Sequence, residues 1–194
     1  MRPCAAIWIA ALLAASCAQV PREGQTFEQW RMANEAEVSA FESRLDRAGL
    51  LGVFPMNQLL RSATSWQTCR ESPYAIPPSE QWPAVESVLR LVGELRATGV
   101  IGQIEVHSGY RNKALNLCAG GATRSAHLLS FAIDFTSSVS EDPTARLCEF
   151  WRTKGRAWNM GLSRYPSGRI HIDTAGYRTW GSDHTGASAA CGAA

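Results

Sequence analysis

The 194-residue chain predicts an α+β domain, with helices packed against a small antiparallel sheet. Two amphipathic segments at helical spacing lie in the first half of the chain, and short alternating segments crowd the second half. Hydrophobic residues make up 45% of the chain and charged residues 19%, enough for one packed core. The net charge of +2 comes without a basic run, so no nucleic-acid partner is expected. A monomer is expected.

The N-terminus reads as an export signal over 1–16. "MR" is a short positive start, "AAIWIAALLAA" is an apolar stretch too short to span a bilayer, and small residues follow. Cys17 closes "LAASC", which resembles the lipobox of bacterial lipoproteins, with Ala14 where leucine is usual. The other reading is ordinary cleavage after Ala18. Acylation of Cys17 would give a lipid anchor as the only membrane contact. Ala18 beside it resembles the outer-membrane sorting case, so the expected location is periplasmic and anchored to the outer membrane. The chain has six cysteines. With Cys4 in the signal and Cys17 carrying lipid, Cys69, Cys118, Cys148 and Cys191 remain. These permit two disulfides in an oxidising compartment, in any of three pairings.

A linker and N-terminal amphipathic segment are expected over 17–65, a main domain over 66–181 and a tail over 182–194. "VPREGQ" (20–25) is polar. Thr26 and Gln29 form a capping box. Phe27, Trp30, Val38, Phe41, Leu45 and Ala48 then follow at helical spacing to Gly49, as one amphipathic helix. Residues 50–68 fit no single element, and the prolines of "PYAIPP" (73–78) forbid regular helix. A second helix is expected from Glu80 to Ala97, burying Trp82, Val85, Val88, Leu89, Val92 and Leu95. "QIEVH" (103–107) alternates as a strand, "SGYRN" turns, and a short helix is expected over 112–117. "AGGATRS" is a glycine-rich loop. In "FAIDF" (131–135), Phe131, Ile133 and Phe135 face one way, and Ala132 and Asp134 the other. Pro143 opens a helix to Lys154. "MGLSRY" and "RIHID" are the last two strands, joined by "PSG". The tail from Ser182 is small and polar, loose unless Cys191 ties it.

Polar residues inside the apolar strands carry the chemistry. His127 and Asp134 sit in "SAHLLSFAIDF", where burying them is costly without partners. In "RIHID", alternation puts His171 and Asp173 opposite Ile170 and Ile172. If the strands 131–135 and 168–173 are neighbours, His127, Asp134 and His171 converge. Two imidazoles and one carboxylate with an open fourth position is the ligand set of a catalytic zinc site. Any one of these residues alone would more often be a hydrogen-bonded core residue.

"SGYRN", "LNLCAGGATRSAH", "AIDF" and "RIHIDTAGYRTWG" together resemble the D-Ala-D-Ala carboxypeptidase family of zinc metallopeptidases, whose fold is shared with the hedgehog signalling domain. The resemblance covers about residues 66–181. "WQTC" (66–69), the proline-rich stretch and "LC" (147–148) resemble a subset of it. It implies a zinc-dependent peptidase acting on peptidoglycan stem peptides, as a carboxypeptidase or an endopeptidase. His127, Asp134 and His171 would bind Zn2+. Arg111 would pair with a substrate carboxylate, because its planar fork matches two oxygens. Tyr110 and Ser125 would contribute to substrate binding, and Gly120 and Gly121 would serve backbone geometry.

Two positions depart from the family pattern. Ser130 stands where a glycine is usual. Gly168 stands where an acidic residue or histidine often acts as general base, three positions before the last ligand. Asp173 is the nearest carboxylate in sequence and is taken as the catalytic candidate, with orientation of His171 as its alternative role. His184 and His107 are further candidates. The rival reading is a non-catalytic peptidoglycan-binding or scaffold lipoprotein that keeps a structural zinc site.

Overall fold

The computed structural model describes residues 24–137 and 142–192. The expected signal over 1–16 and Cys17 lie outside these residues. Among the described residues, no helix is long and apolar enough to cross a membrane.

The capping box at Thr26 forms as expected: Gln29 N donates to Thr26 Oγ1 and Thr26 N to Gln29 Oε1, at 3.2 and 3.1 Å. The single helix expected from there is two: α1 (Phe27–Ala33) and α2 (Glu35–Arg47). Asn34 breaks it, with φ −128°, and its side-chain amide bonds the Trp30 carbonyl at 2.7 Å. A short amide side chain that bonds nearby backbone competes with helix continuation. Trp30, Val38, Phe41 and Leu45 are buried as the spacing requires. They join one hydrophobic core with the helix that follows and with the sheet. Part of the unassigned 50–68 stretch forms a short helix, α3 (Met56–Leu59). Its Leu59 and the following Leu60 are also core residues.

Helix α4 (Trp82–Ala97) buries Val85, Val88, Leu89, Val92 and Leu95, with Leu91 added to the expected stripe, while Trp82 is only partly buried against the core. α5 (Lys113–Cys118) is capped by Asn112, whose Oδ1 accepts from Leu115 N at 2.8 Å. α6 is Thr144–Thr153, with Pro143 just outside as its cap.

The sheet has five strands: β1 (Ile104–Ser108), β2 (Ala132–Ser137), β3 (Gly161–Arg164), β4 (Ile170–Asp173) and β5 (Arg178–Trp180). Their spatial order is β1-β2-β4-β3-β5. The first four pair antiparallel as expected. β5 was not expected and runs parallel to β3, so the sheet is mixed. Its three residues are too short to show alternation. Ile133, Phe135, Leu162, Ile170 and Ile172 enter the core on one face of the sheet. The register sets Asp134 directly opposite His171, and Ala132 opposite Asp173. The face that turns away from the core therefore carries the polar side chains.

Of the three cysteine pairings left open, the structure has Cys69–Cys118 and Cys148–Cys191. The first ties the 62–72 segment to α5. The second ties the tail to α6, so the tail is anchored.

Candidate metal centre

Ser125 caps the turn at Ala126–Leu129, its Oγ accepting from His127 N at 3.3 Å. Ser130 ends this turn in the left-handed region, φ +62°. That conformation explains a glycine preference, and Ser130 holds it while donating to Gln81 Oε1 at 2.6 Å. His127 is thereby brought over the β2–β4 pair, beside Asp134 and His171. All three are buried.

The outer contacts decide the state of each ring. His127 Nδ1 lies 2.7 Å from the Gly109 carbonyl, which can only accept, so Nδ1 carries the proton and Nε2 presents a lone pair. His171 Nε2 lies 2.8 Å from Asp173 Oδ2, so in the neutral ring Nε2 carries the proton and Nδ1 faces inward. Arg111 Nη2 occupies Asp134 Oδ2 at 2.5 Å, which leaves Oδ1 facing the histidines. Three acceptor atoms thus converge: His127 Nε2 to His171 Nδ1 is 3.2 Å, His127 Nε2 to Asp134 Oδ1 is 3.2 Å, and His171 Nδ1 to Asp134 Oδ1 is 2.9 Å. Lone pairs so close in a buried site favour a cation between them, and Arg111 Nη2, 3.3 Å from His127 Nε2, is the nearest donor the chain itself supplies. A tetrahedral centre with bonds of about 2.0–2.1 Å has edges of about 3.3 Å, so the triangle fits zinc with little adjustment.

The electrostatics agree. Burial pushes His127 down, so it stays neutral and able to ligate. Burial would push Asp134 up, but His127 and His171 outweigh it and hold the carboxyl well below its usual range. Burial also opposes charge on His171, yet hydrogen bonds with Asp134 and Asp173 raise it. Without metal, a proton on His171 is the positive charge this site attracts.

These three residues are the described group of histidine and acidic side chains that can hold a metal. The Peptidase M15 family matches residues 53–173, the stretch that contains them all. The chain belongs to the peptidase M15 family. Its peptidases are zinc-dependent, and the His-Asp-His set supplies the ligands such a metal needs. No curated protein matches the chain.

The M15 triad opens into a cleft of about 560 Å³. One wall is Ala63–Ser65 and the loop from Ala119 to Ala126; the other includes Tyr165, Arg169, Trp180 and His184. Cys69–Cys118 joins the two segments of the first wall. Arg111, Arg124, Arg169 and Arg178 also line the cleft, so it is strongly cationic. Arg111 stands at the cleft as expected, but its fork already holds Asp134 and, through Nε, Ser108 Oγ at 2.9 Å. Ser125 lines the cleft too.

Three expected site residues are placed elsewhere. Asp173 is not a cleft carboxylate. It is fully buried behind His171, and Oδ1 and Oδ2 accept from Ala175 N, both Arg178 amino groups and His171 Nε2. It positions His171 and has no lone pair aimed at a substrate. Gly161 makes room for it, since a Cβ there would collide with the Asp173 carboxylate. Tyr110 lines a separate small pocket beside Val85 and Val88 rather than the metal cleft, because the turn after β1 directs it toward α4. His107 bonds Thr136 Oγ1 at 2.8 Å and lines another small cavity with Arg61 and Trp66. Gly168 has φ +83° in the β3–β4 hairpin, where its N–H bonds the Tyr165 carbonyl at 2.9 Å, so this position serves the turn.

Tyr165, Arg169, Arg178 and Trp180 had no assigned role. Trp180 packs edge-on against His171 with ring centroids 5.1 Å apart, and the Arg178 guanidinium lies 4.6 Å from the Trp180 ring centre. Their signal was present in "RYPSGR" and "GYRTW", which flank the last ligand, but spacing alone gives these residue types no chemistry.

Proposed function

We propose that this M15 chain hydrolyses peptidoglycan stem peptides, as a D,D-carboxypeptidase or an endopeptidase. The convergence of three lone-pair donors at the floor of an arginine-lined cleft is the observation that carries the reading. When bound there, zinc would acidify a water and polarise the scissile carbonyl. The chain's own residues do the rest. Arg111 fixes Asp134, and Asp173 fixes His171, so the ligands are held before metal arrives. Arg124 and Arg169 have no carboxylate partner among the described residues. Arg169 is braced by Thr64 Oγ1 at 2.9 Å and has donors left for a peptide carboxylate. Tyr165 is pushed up by burial, so its hydroxyl stays protonated and available as a donor in the cleft.

We also propose that the protein is exported and held by a lipid on Cys17 at the periplasmic face of the outer membrane. Two disulfides support an oxidising compartment. Mass spectrometry of the chain purified from membranes would show a diacylglyceryl or triacyl mass on Cys17.

Gly168 favours a second reading, a zinc-stabilised binding module, because the turn leaves no base at the position where relatives often carry one. Purified muropeptides separate the two readings. Loss of one D-Ala or splitting of a cross-linked dimer, blocked by a chelator and by His171→Ala, supports the enzyme. Intact muropeptides after incubation with folded, zinc-containing protein support the binding module.

A further inference from the structure

A hydrolytic site needs a group that takes a proton from water and returns it to the leaving amine. The cleft-lining residues narrow the choice. His127, Asp134 and His171 are committed to the metal. Arginines do not give up their protons. Tyr165 is held protonated by burial, and Asp173 stands behind His171 outside the cleft. His184 is left as the one non-ligand imidazole among the described residues that line the cleft.

The tail is built to present it. Cys148–Cys191 fastens the tail to α6. His184 N donates to the Gly181 carbonyl at 3.0 Å, and Gly181 N donates to the Thr185 carbonyl at 2.9 Å, closing a tight turn around the histidine. Asp183 Oδ1 braces this turn by accepting from Thr185 N at 2.8 Å, from the Thr185 hydroxyl and from Ser188 Oγ. His184 itself has φ +60°, in the left-handed region that histidine, like asparagine and aspartate, enters more readily than other L residues, and this suits it to the turn.

We propose that His184, delivered by the disulfide-anchored tail, is the proton-transfer residue that replaces the base absent at Gly168. The inference rests on the peptidase reading above. In the hydrolysis, the water oxygen bonds to the peptide carbonyl carbon and one water proton moves to the His184 imidazole. His184 then returns that proton to the amide nitrogen as the C–N bond breaks. The products are an amine and a carboxylic acid, whose proton passes to solvent.

The test uses the disulfide-bonded, zinc-loaded chain and purified muropeptides, with two readouts. His184→Ala should lower kcat by about 10²–10⁴-fold, with KM and zinc content near wild type. Added imidazole should restore part of that rate to His184→Ala and none to His171→Ala. Independently of turnover, cobalt loaded in place of zinc should shift the His184 Hε1 resonance in the NMR spectrum. Equal kcat in wild type and His184→Ala, or an Hε1 resonance that cobalt leaves in place, overturns the inference while leaving the peptidase reading intact. A zinc-loaded wild type that cuts nothing overturns the peptidase reading and the role of His184 with it.

Discussion

Asp173→Asn removes one charge and almost no volume, yet it should weaken zinc binding strongly. The carboxylate accepts at both oxygens: Oδ1 from Ala175 N and Arg178 Nη1 at 2.8 and 2.9 Å, Oδ2 from His171 Nε2 and Arg178 Nη2 at 2.8 and 2.7 Å. An amide offers only one accepting atom. If its oxygen stays toward Ala175, its NH2 group confronts the His171 Nε2–H. The ring relieves that conflict by moving its proton to Nδ1, the atom that must hold the metal. If the amide flips, NH2 confronts the Ala175 N–H instead. Loss of such an outer partner costs about 10–100-fold in metal affinity, or about 1.4–2.8 kcal/mol. The zinc-free protein should also lose about 2 kcal/mol, the lower part of the range for charged hydrogen bonds, because half-exposed Arg178 can turn to water. Competition against a chromophoric chelator reads the affinity, and urea unfolding reads the stability. Wild-type zinc affinity in Asp173→Asn would refute the reasoning that Asp173 sets the His171 tautomer.

Other outcomes follow from the same contacts. The zinc-induced rise in Tm should grow as pH rises, because zinc must displace the proton that Asp134 and Asp173 hold on His171. In the zinc-free protein the sign reverses for His171: its charged form stabilises below the ordinary imidazole pKa, and that contribution is lost as pH rises through the raised value. Asp134 and Asp173 contribute above the ordinary carboxylate pKa and lose it as pH falls through their lowered values. Thermal unfolding across pH with and without zinc checks both signs, and a zinc shift independent of pH contradicts them. Ser130→Ala should cost about 1 kcal/mol by losing the bond to Gln81. Ser130→Gly should be more stable than Ser130→Ala, because it also relieves the left-handed backbone; urea unfolding in which the two coincide contradicts that. Removing Cys69–Cys118 as a double alanine variant frees a 49-residue separation, a loss of about 4 kcal/mol by chain entropy, read by the same unfolding midpoint.

The zinc ligands were legible in sequence because two rules acted together. Period-2 alternation put Asp134 and His171 on the face opposite Ile133 and Ile172, and the motif order named the partner strands. The cross-strand pair Asp134↔His171 is what those rules require. Buried stripes in α2 and α4 were legible for the same reason, as a period of 3.6 that packing then used. Asn34 was not, since asparagine occurs within helices too, and the bond of its amide to the Trp30 carbonyl shows only in the fold. The role of Asp173 was ambiguous because alternation fixes a face and not a depth, and only the fold shows Arg178 closing over it. Tyr110 and Arg111 are adjacent in sequence, and a turn sends neighbouring side chains in different directions. The cysteine pairing and the approach of the tail to the cleft depend on long-range packing, for which local patterning carries no signal.

The metal centre itself is open to one direct measurement, zinc K-edge absorption on protein loaded with one equivalent of zinc. Two imidazole nitrogens and a carboxylate oxygen at about 2.0–2.2 Å, with no sulfur scatterer and with the signal lost in His127→Ala and His171→Ala, is the expected result. A zinc shell containing sulfur, or one unchanged in both variants, would place the metal elsewhere and contradict the centre built from His127, Asp134 and His171.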